Sequence, residues 1–115
     1  MVLTLKEINA HIEKAAVTRV TMFPEEMRIG DTGYDEEVKK ALQQMKSRYG
    51  HWGWCMVEVT RTYHLLSSSQ HLAECSYKSE KDFVKNSGYF EDMKKDNLRE
   101  ITDQIGELLT QIGIK

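Results

Sequence analysis

The alternating pattern of residues 54–66 constrains the fold more than any other feature of the sequence. From Cys55 onward every second side chain is apolar except at Arg61, and most residues between them are polar. Successive side chains of a strand point to opposite faces, so Trp54–Leu66 is predicted to be a strand with one face on a core. Arg61 interrupts that face and indicates a bend or the margin of a sheet.

Two further segments are predicted to complete a small sheet. The β-branched run Val17–Phe23 reads as a strand that Pro24 ends. The polar run Ser67–Gln70 is typical of a turn, after which Leu72–Tyr77 would return as the partner strand of a hairpin. A short helix over Leu72–Tyr77 is the alternative.

Apolar residues at three- and four-residue spacing predict helices in the rest of the chain. The first helix follows Thr4 and the second lies between Asp35 and Gly50; a short helix begins at Ser79, and a long one runs from about Tyr89 to near Ile112. In the second, Val38, Leu42, Met45 and Tyr49 form the apolar stripe. Together with the strands, these elements predict an α+β fold in which a small antiparallel sheet of about three strands packs against amphipathic helices.

The length and composition fit one soluble domain over residues 1–115. The sequence is 40% hydrophobic and 30% charged, and its net charge is −2, so no overall charge favours nucleic acid or an anionic membrane. No apolar run approaches the ~20 residues of a membrane span. The first residues, Met1–Lys6, lack the apolar core of a secretory signal, so we expect a cytoplasmic location with reduced thiols.

The middle of the chain carries a recognisable order of motifs. It contains Trp-Gly-Trp-Cys at 52–55, Cys-Ser-Tyr-Lys-Ser-Glu-Lys-Asp-Phe at 75–83 and Gly-Tyr-Phe-Glu-Asp-Met at 88–93. Over roughly residues 50–95 this order resembles a group of small, functionally uncharacterised proteins of phages, prophages and other mobile elements. The resemblance implies an accessory protein of a bacterial host cell, and it carries over no catalytic residue.

An aromatic cluster joins the second helix to the central strand and is the best candidate binding site. It consists of Arg48, Tyr49, His51, Trp52 and Trp54. In an extended segment the two tryptophans would lie on the same side, where they could stack on bases or grip an apolar group of a partner. Two tryptophans in a small domain are more often core residues, which is the competing interpretation.

No motif predicts a catalytic or metal site. His64, His71 and Cys75, with Cys55 as a fourth, are the conceivable metal ligands, but the paired spacing typical of structural zinc sites is absent. Buried cysteines and surface histidines explain these residues more simply. We therefore expect no cofactor, no metal and no enzymatic activity.

The long terminal helix has a heptad-like apolar stripe that predicts self-association. The stripe consists of Leu98, Ile101, Ile105, Leu108 and Ile112. A helix of that length extends beyond what a three-stranded sheet covers, so its end could meet a second copy in a homodimer. Gly106 within the helix would allow close approach of another backbone.

The leading hypothesis is a non-enzymatic binding protein that contacts a host or phage macromolecule, with inhibition of a host factor as one form. One alternative is nucleic-acid binding through Lys78, Lys81, Lys85, Lys94 and Lys95, which cluster in the sequence but alternate with carboxylates. Another alternative is an oligomer that binds a small ligand between its subunits.

Overall fold

A computed structural model of the protein describes residues 4–113. The helices are α1 (Leu5–Ala15), α2 (Glu36–Tyr49), α3 (Glu80–Asn86) and α4 (Tyr89–Gln111), and the strands are β1 (Val17–Pro24), β2 (Cys55–Tyr63) and β3 (Leu66–Cys75). The strands form one antiparallel sheet in the order β1-β2-β3. The predicted α+β fold, with its three-stranded sheet and long C-terminal helix, is confirmed.

Local capping accounts for the helix boundaries that the sequence predicts. The Thr4 hydroxyl accepts a hydrogen bond from the Glu7 amide at 3.1 Å, and the Glu7 carboxylate accepts one from the Thr4 amide at 3.4 Å, which completes the capping box of α1. The Asp35 carboxylate caps α2 by accepting a hydrogen bond from the Val38 amide at 2.9 Å. Gly50 ends α2 with a φ of 65°, a conformation that glycine adopts without steric penalty.

The hairpin turn does not lie where the serine run predicted it. The chain turns at His64 and Leu65, and the predicted turn Ser67–Gln70 lies inside β3. His64 has a φ of 57°, at the first of the two turn positions, where glycine is favoured in type II′ turns. Leu65 was expected on the apolar face of the strand, but it is fully exposed at the tip.

Two cross-strand contacts fix the register of β2 and β3. The hydroxyls of Thr60 and Ser69 are 2.8 Å apart, and Glu58 Oε2 lies 2.7 Å from His71 Nε2. Both pairs imply the same register, which leaves two residues for the turn. Of the two structures considered for Leu72–Tyr77, the strand is found, and it ends at Cys75.

Arg61 continues the buried face of β2 instead of interrupting it. Cys55, Val57, Val59 and Arg61 are all buried, and Arg61 is only 2% exposed. Glu13 pairs with two of the three guanidinium nitrogens: Nη1 donates to the Glu13 carboxylate at 3.0 Å and Nη2 to the Glu13 carbonyl at 3.4 Å, while the buried Nε has no hydrogen-bond partner among the described residues. The prediction of a bend or sheet margin at Arg61 is therefore wrong, because a partner on α1 neutralises the buried charge.

The chain divides into two compact units. Within the described residues, the first comprises residues 4–19, Val59–Gln70 and 92–113, and the second comprises Val20–Glu58 and His71–Glu91. Each unit takes its residues from several separate stretches of sequence.

A buried polar network lies in the first unit. Asn97 on α4 is fully buried. Its Nδ2 donates a hydrogen bond to the Val59 carbonyl at 3.0 Å, and its Oδ1 lies 2.9 Å from the Ser68 hydroxyl. The Ser68 hydroxyl is also 2.6 Å from Glu100 Oε2. Because buried polar groups are costly unless paired, this network selects one axial position for α4 on the strands.

Glu100 gives the stability of the protein an acid-sensitive component. The pKa of Glu100 is lowered below its usual value of 4.5, mainly by the hydrogen bond from Ser68 and to a smaller extent by the hydrogen bond from Gln70. A lowered folded-state pKa stabilises the fold fully above the unfolded pKa, and that contribution disappears as the pH falls through the lowered value. We expect Glu100→Gln to flatten the dependence of the free energy of unfolding on pH, measured by urea denaturation between about pH 3 and pH 7.

Glu26→Gln is the matched control, since Glu26 is an exposed glutamate outside α4. Parallel acid destabilisation of the wild type and both variants would contradict a specific role for Glu100.

Candidate binding surface

The aromatic segment folds as a tight turn and not as an extended strand. Residues Gly50–Gly53 form one turn of 3-10 helix directly after α2. Gly53 is buried against the end of α2, and a Cβ at this position would overlap the Met45 carbonyl. The predicted side-by-side arrangement of Trp52 and Trp54 on an extended segment is therefore wrong, because this close backbone contact bends the chain between them.

Trp54 belongs to the core of the second unit. Its side chain is 3% exposed, and its indole Nε1 donates to the Met27 carbonyl at 2.6 Å. A buried tryptophan needs a partner for its N–H, and here the loop after β1 supplies one. The ring cannot be presented to a partner on the surface, so Trp54 anchors this loop instead of forming part of a binding site.

The other four residues of the predicted cluster remain at the surface. Arg48 and His51 are exposed, while Tyr49 and Trp52 are half-buried. The Arg48 guanidinium lies 5.6 Å from the centre of the Tyr49 ring, which is a cation–π distance. The Trp52 carbonyl accepts a hydrogen bond from the Tyr77 amide at 2.8 Å, so the turn also holds the segment that follows β3.

Three apolar side chains between β1 and the first turn of α2 are exposed, and no surface is predicted there from the sequence. Met27 is 46%, Tyr34 40% and Val38 42% exposed. None of the residues of α2, all of which the structure describes, is buried, although its apolar stripe was predicted to face a core. We call Met27, Tyr34 and Val38 the loop patch. Isolated exposed apolar residues are common, but three within a dozen residues, beside a helix whose other stripe residues Leu42, Met45 and Tyr49 are only half-buried, indicate a contact surface.

The two cysteines do not have the environment of reactive thiols. Both are buried and free, and burial is the main cause that raises the pKa of Cys55 to about 12 and the pKa of Cys75 to about 11. Their thiols lie near the carbonyls of Trp52 and Leu72, at 3.6 and 3.1 Å respectively. A nucleophilic cysteine needs a lowered pKa, so these thiols stay protonated at neutral pH.

The histidines and cysteines considered as metal ligands have other contacts. The ring of His64 packs edge-on against Tyr63, with the ring centres 4.6 Å apart, and His71 pairs with Glu58. Among residues 4–113, no group of three or more His, Cys, Asp and Glu side chains could hold a metal ion. Cys75 instead faces the carbonyls of its own strand.

Three of the lysines proposed for nucleic-acid binding lie together. Lys78, Lys81 and Lys85 are exposed around one shallow hollow, whereas Lys94 and Lys95 lie on α4. The hollow also contains Asp82, whose carboxylate accepts hydrogen bonds from the Lys78 amide and from the Asn86 side chain. These bonds lower the pKa of Asp82 and keep a negative charge among the three ammonium groups.

The predicted self-association stripe runs from the core to the surface. Ile101 is fully buried, and Leu98 and Ile105 are half-buried. Exposure rises toward the C-terminal end of α4, to 47% at Leu108 and 66% at Ile112. Leu108 and Ile112 are therefore the positions of the stripe most accessible to a second copy.

Comparison with known proteins gives no match: no family model, no curated protein and no solved structure matches the chain. Within residues 4–113, no helix combines the length and apolar character needed to cross a membrane.

Proposed function

We propose that the protein is a non-enzymatic accessory protein of phage or mobile-element type that works by contacting a macromolecule, most simply a protein of the host. It would act in the cytoplasm of the bacterial host, for example as an inhibitor of a host factor. The non-enzymatic part of the proposal is supported by the two thiols. Both are buried and protonated at neutral pH, which does not suit a nucleophile.

The observation that carries the proposal is the loop patch. Trp54 holds the loop between β1 and α2 through Met27, so the exposed side chains sit on an anchored backbone. Anchoring lowers the entropy lost when a surface is ordered on binding. Aromatic residues and methionine are enriched at the centres of protein interfaces, and Tyr34 and Met27 are of those types.

The test is affinity capture with the full chain and one charge-introducing variant of the loop patch. We expect Val38→Glu to weaken binding of at least one host protein by about tenfold or more, since a charge placed in an apolar contact is left desolvated. The affinity for the purified partner is then measured by titration calorimetry with the wild type and the variant.

Gln44→Glu is the matched control because it adds the same charge to an exposed position on another side of α2. Circular dichroism must show the same helix content in both variants. The proposal fails if every captured protein binds Val38→Glu and Gln44→Glu equally well.

A further inference from the structure

The charges on the outer face of α4 are arranged so that two antiparallel copies of the helix would be complementary. Lys95 and Arg99 precede Asp103 and Glu107 at steps of four residues, and all four are exposed. Residues four apart are neighbours on one side of a helix. This side is therefore basic in its N-terminal half and acidic in its C-terminal half. When two copies of such a helix lie antiparallel, each basic half faces an acidic half.

The same face leaves room at Gly106 for the backbone of another helix to approach closely. A shallow groove of about 740 Å³ is lined by Thr102, Asp103, Gly106, Glu107, Thr110 and Gln111. Within the described chain, a Cβ added to Gly106 would meet nothing within 4 Å. Glycine in the middle of a helix weakens it relative to alanine, and no contact within the described protein requires glycine at this position.

We propose that the outer face of α4 binds the same face of a second copy in an antiparallel, two-fold arrangement. Lys95 pairs with Glu107 of the second copy, and Arg99 pairs with Asp103 of the second copy. A two-fold axis repeats both contacts, so the dimer contains each ion pair twice. The axis crosses the helix at the level of Ile101, on the side opposite to the core.

The remaining charges of this face are compatible with that register. Asp92 lies opposite Thr110 of the second copy, and Asp96 lies opposite Gly106, so neither carboxylate is directly opposite another. In the free chain Arg99 contacts Asp96 at 2.9 Å, and both side chains are exposed. Exposed pairs of this kind contribute little to stability, so Arg99 is free to exchange one carboxylate for another.

This surface differs from the stripe predicted from the sequence. Ile101, the middle of the heptad-like stripe, is fully buried in its own unit and cannot contact a second copy. A single pair of helices is also small for a protein interface. We therefore expect a weak dimer whose population depends on protein concentration, not an obligate one.

A charge-reversal experiment tests the proposal with the protein itself as the probe. Sedimentation equilibrium and native mass spectrometry of the full chain should show a dimer. The dimer dissociation constant should rise by about tenfold or more in Arg99→Glu and in Asp103→Arg, which place like charges together. In the doubly exchanged variant, Arg99→Glu with Asp103→Arg, the pairs re-form with opposite polarity. Its dissociation constant should return to within about threefold of the wild type.

Asp31→Arg is the control, because it makes the same charge change at an exposed position on the short turn Ile29–Asp31. Gly106→Leu gives a second, uncharged test: it should abolish the dimer while thermal stability is kept or raised. A monomer at every concentration would overturn the proposal. So would a dimer that the single reversals or Gly106→Leu leave unchanged. These measurements need no host partner, so their outcome is independent of the proposed function.

Discussion

Replacing Trp54 with Ala should lower the free energy of unfolding by about 3–5 kcal/mol, the range for truncating a large buried aromatic side chain. The indole is 3% exposed and its N–H donates to the Met27 carbonyl at 2.6 Å, so the variant loses both packing and the anchor of the loop after β1. Urea denaturation followed by circular dichroism measures the loss.

Two further variants separate the causes of this effect. Trp54→Phe keeps most of the ring but removes the donor, and should cost about 1–3 kcal/mol because the Met27 carbonyl loses its partner. Trp52→Ala should cost less than Trp54→Ala, since Trp52 is only half-buried and its structural hydrogen bonds come from its backbone. Equal losses for Trp52→Ala and Trp54→Ala would contradict the assignment of Trp54 alone to the core.

The parts of the fold that local patterns determine were predictable from the sequence. The capping box at Thr4, the cap at Asp35 and the left-handed glycine at Gly50 each depend on residues within one helical turn. The alternation of apolar and polar residues in β2 likewise predicts a strand with one apolar face, without any knowledge of the elements that cover that face. For this reason the elements and the fold class agree with the structure.

The position of the hairpin turn was not predictable in the same way. A run of serines is typical of turns, yet Ser68 lies in a strand because Asn97 and Glu100 on α4 provide partners for its hydroxyl. Those residues are about thirty positions away in sequence, so no local rule contains them. The turn itself uses His64 and Leu65, a pair that no turn preference favours.

The candidate site was predictable only as a segment. The sequence predicted an aromatic cluster between α2 and β2, but the direction of each tryptophan depends on the contact between Gly53 and the Met45 carbonyl. The loop patch was missed because an apolar stripe on a helix does not tell whether a core covers it. Val38 belongs to such a stripe and is nevertheless 42% exposed.

Arg61→Ala should be among the most destabilising single changes in the first unit, with an expected loss of about 3–5 kcal/mol. The side chain is 2% exposed, and its Nη1 atom donates to the Glu13 carboxylate and, at 3.4 Å, to the Lys94 carbonyl. Truncation leaves a cavity, and the Glu13 and Lys94 carbonyls each lose one hydrogen-bond donor. Chemical denaturation of the variant and the wild type measures the difference.

Comparison with Glu13→Gln and Arg61→Met shows which part of the interaction matters. Glu13→Gln keeps an oxygen acceptor for Nη1 but removes the charge that neutralises the buried guanidinium, so it should cost about 1–3 kcal/mol although Glu13 itself is 47% exposed. Arg61→Met fills most of the volume without a charge and should cost less than Arg61→Ala, because a buried ion pair contributes little net stability over an apolar replacement. If Arg61→Ala were as stable as Glu13→Gln, the guanidinium would not be holding α1 and α4 to the strand, and the burial of Arg61 would need a different explanation.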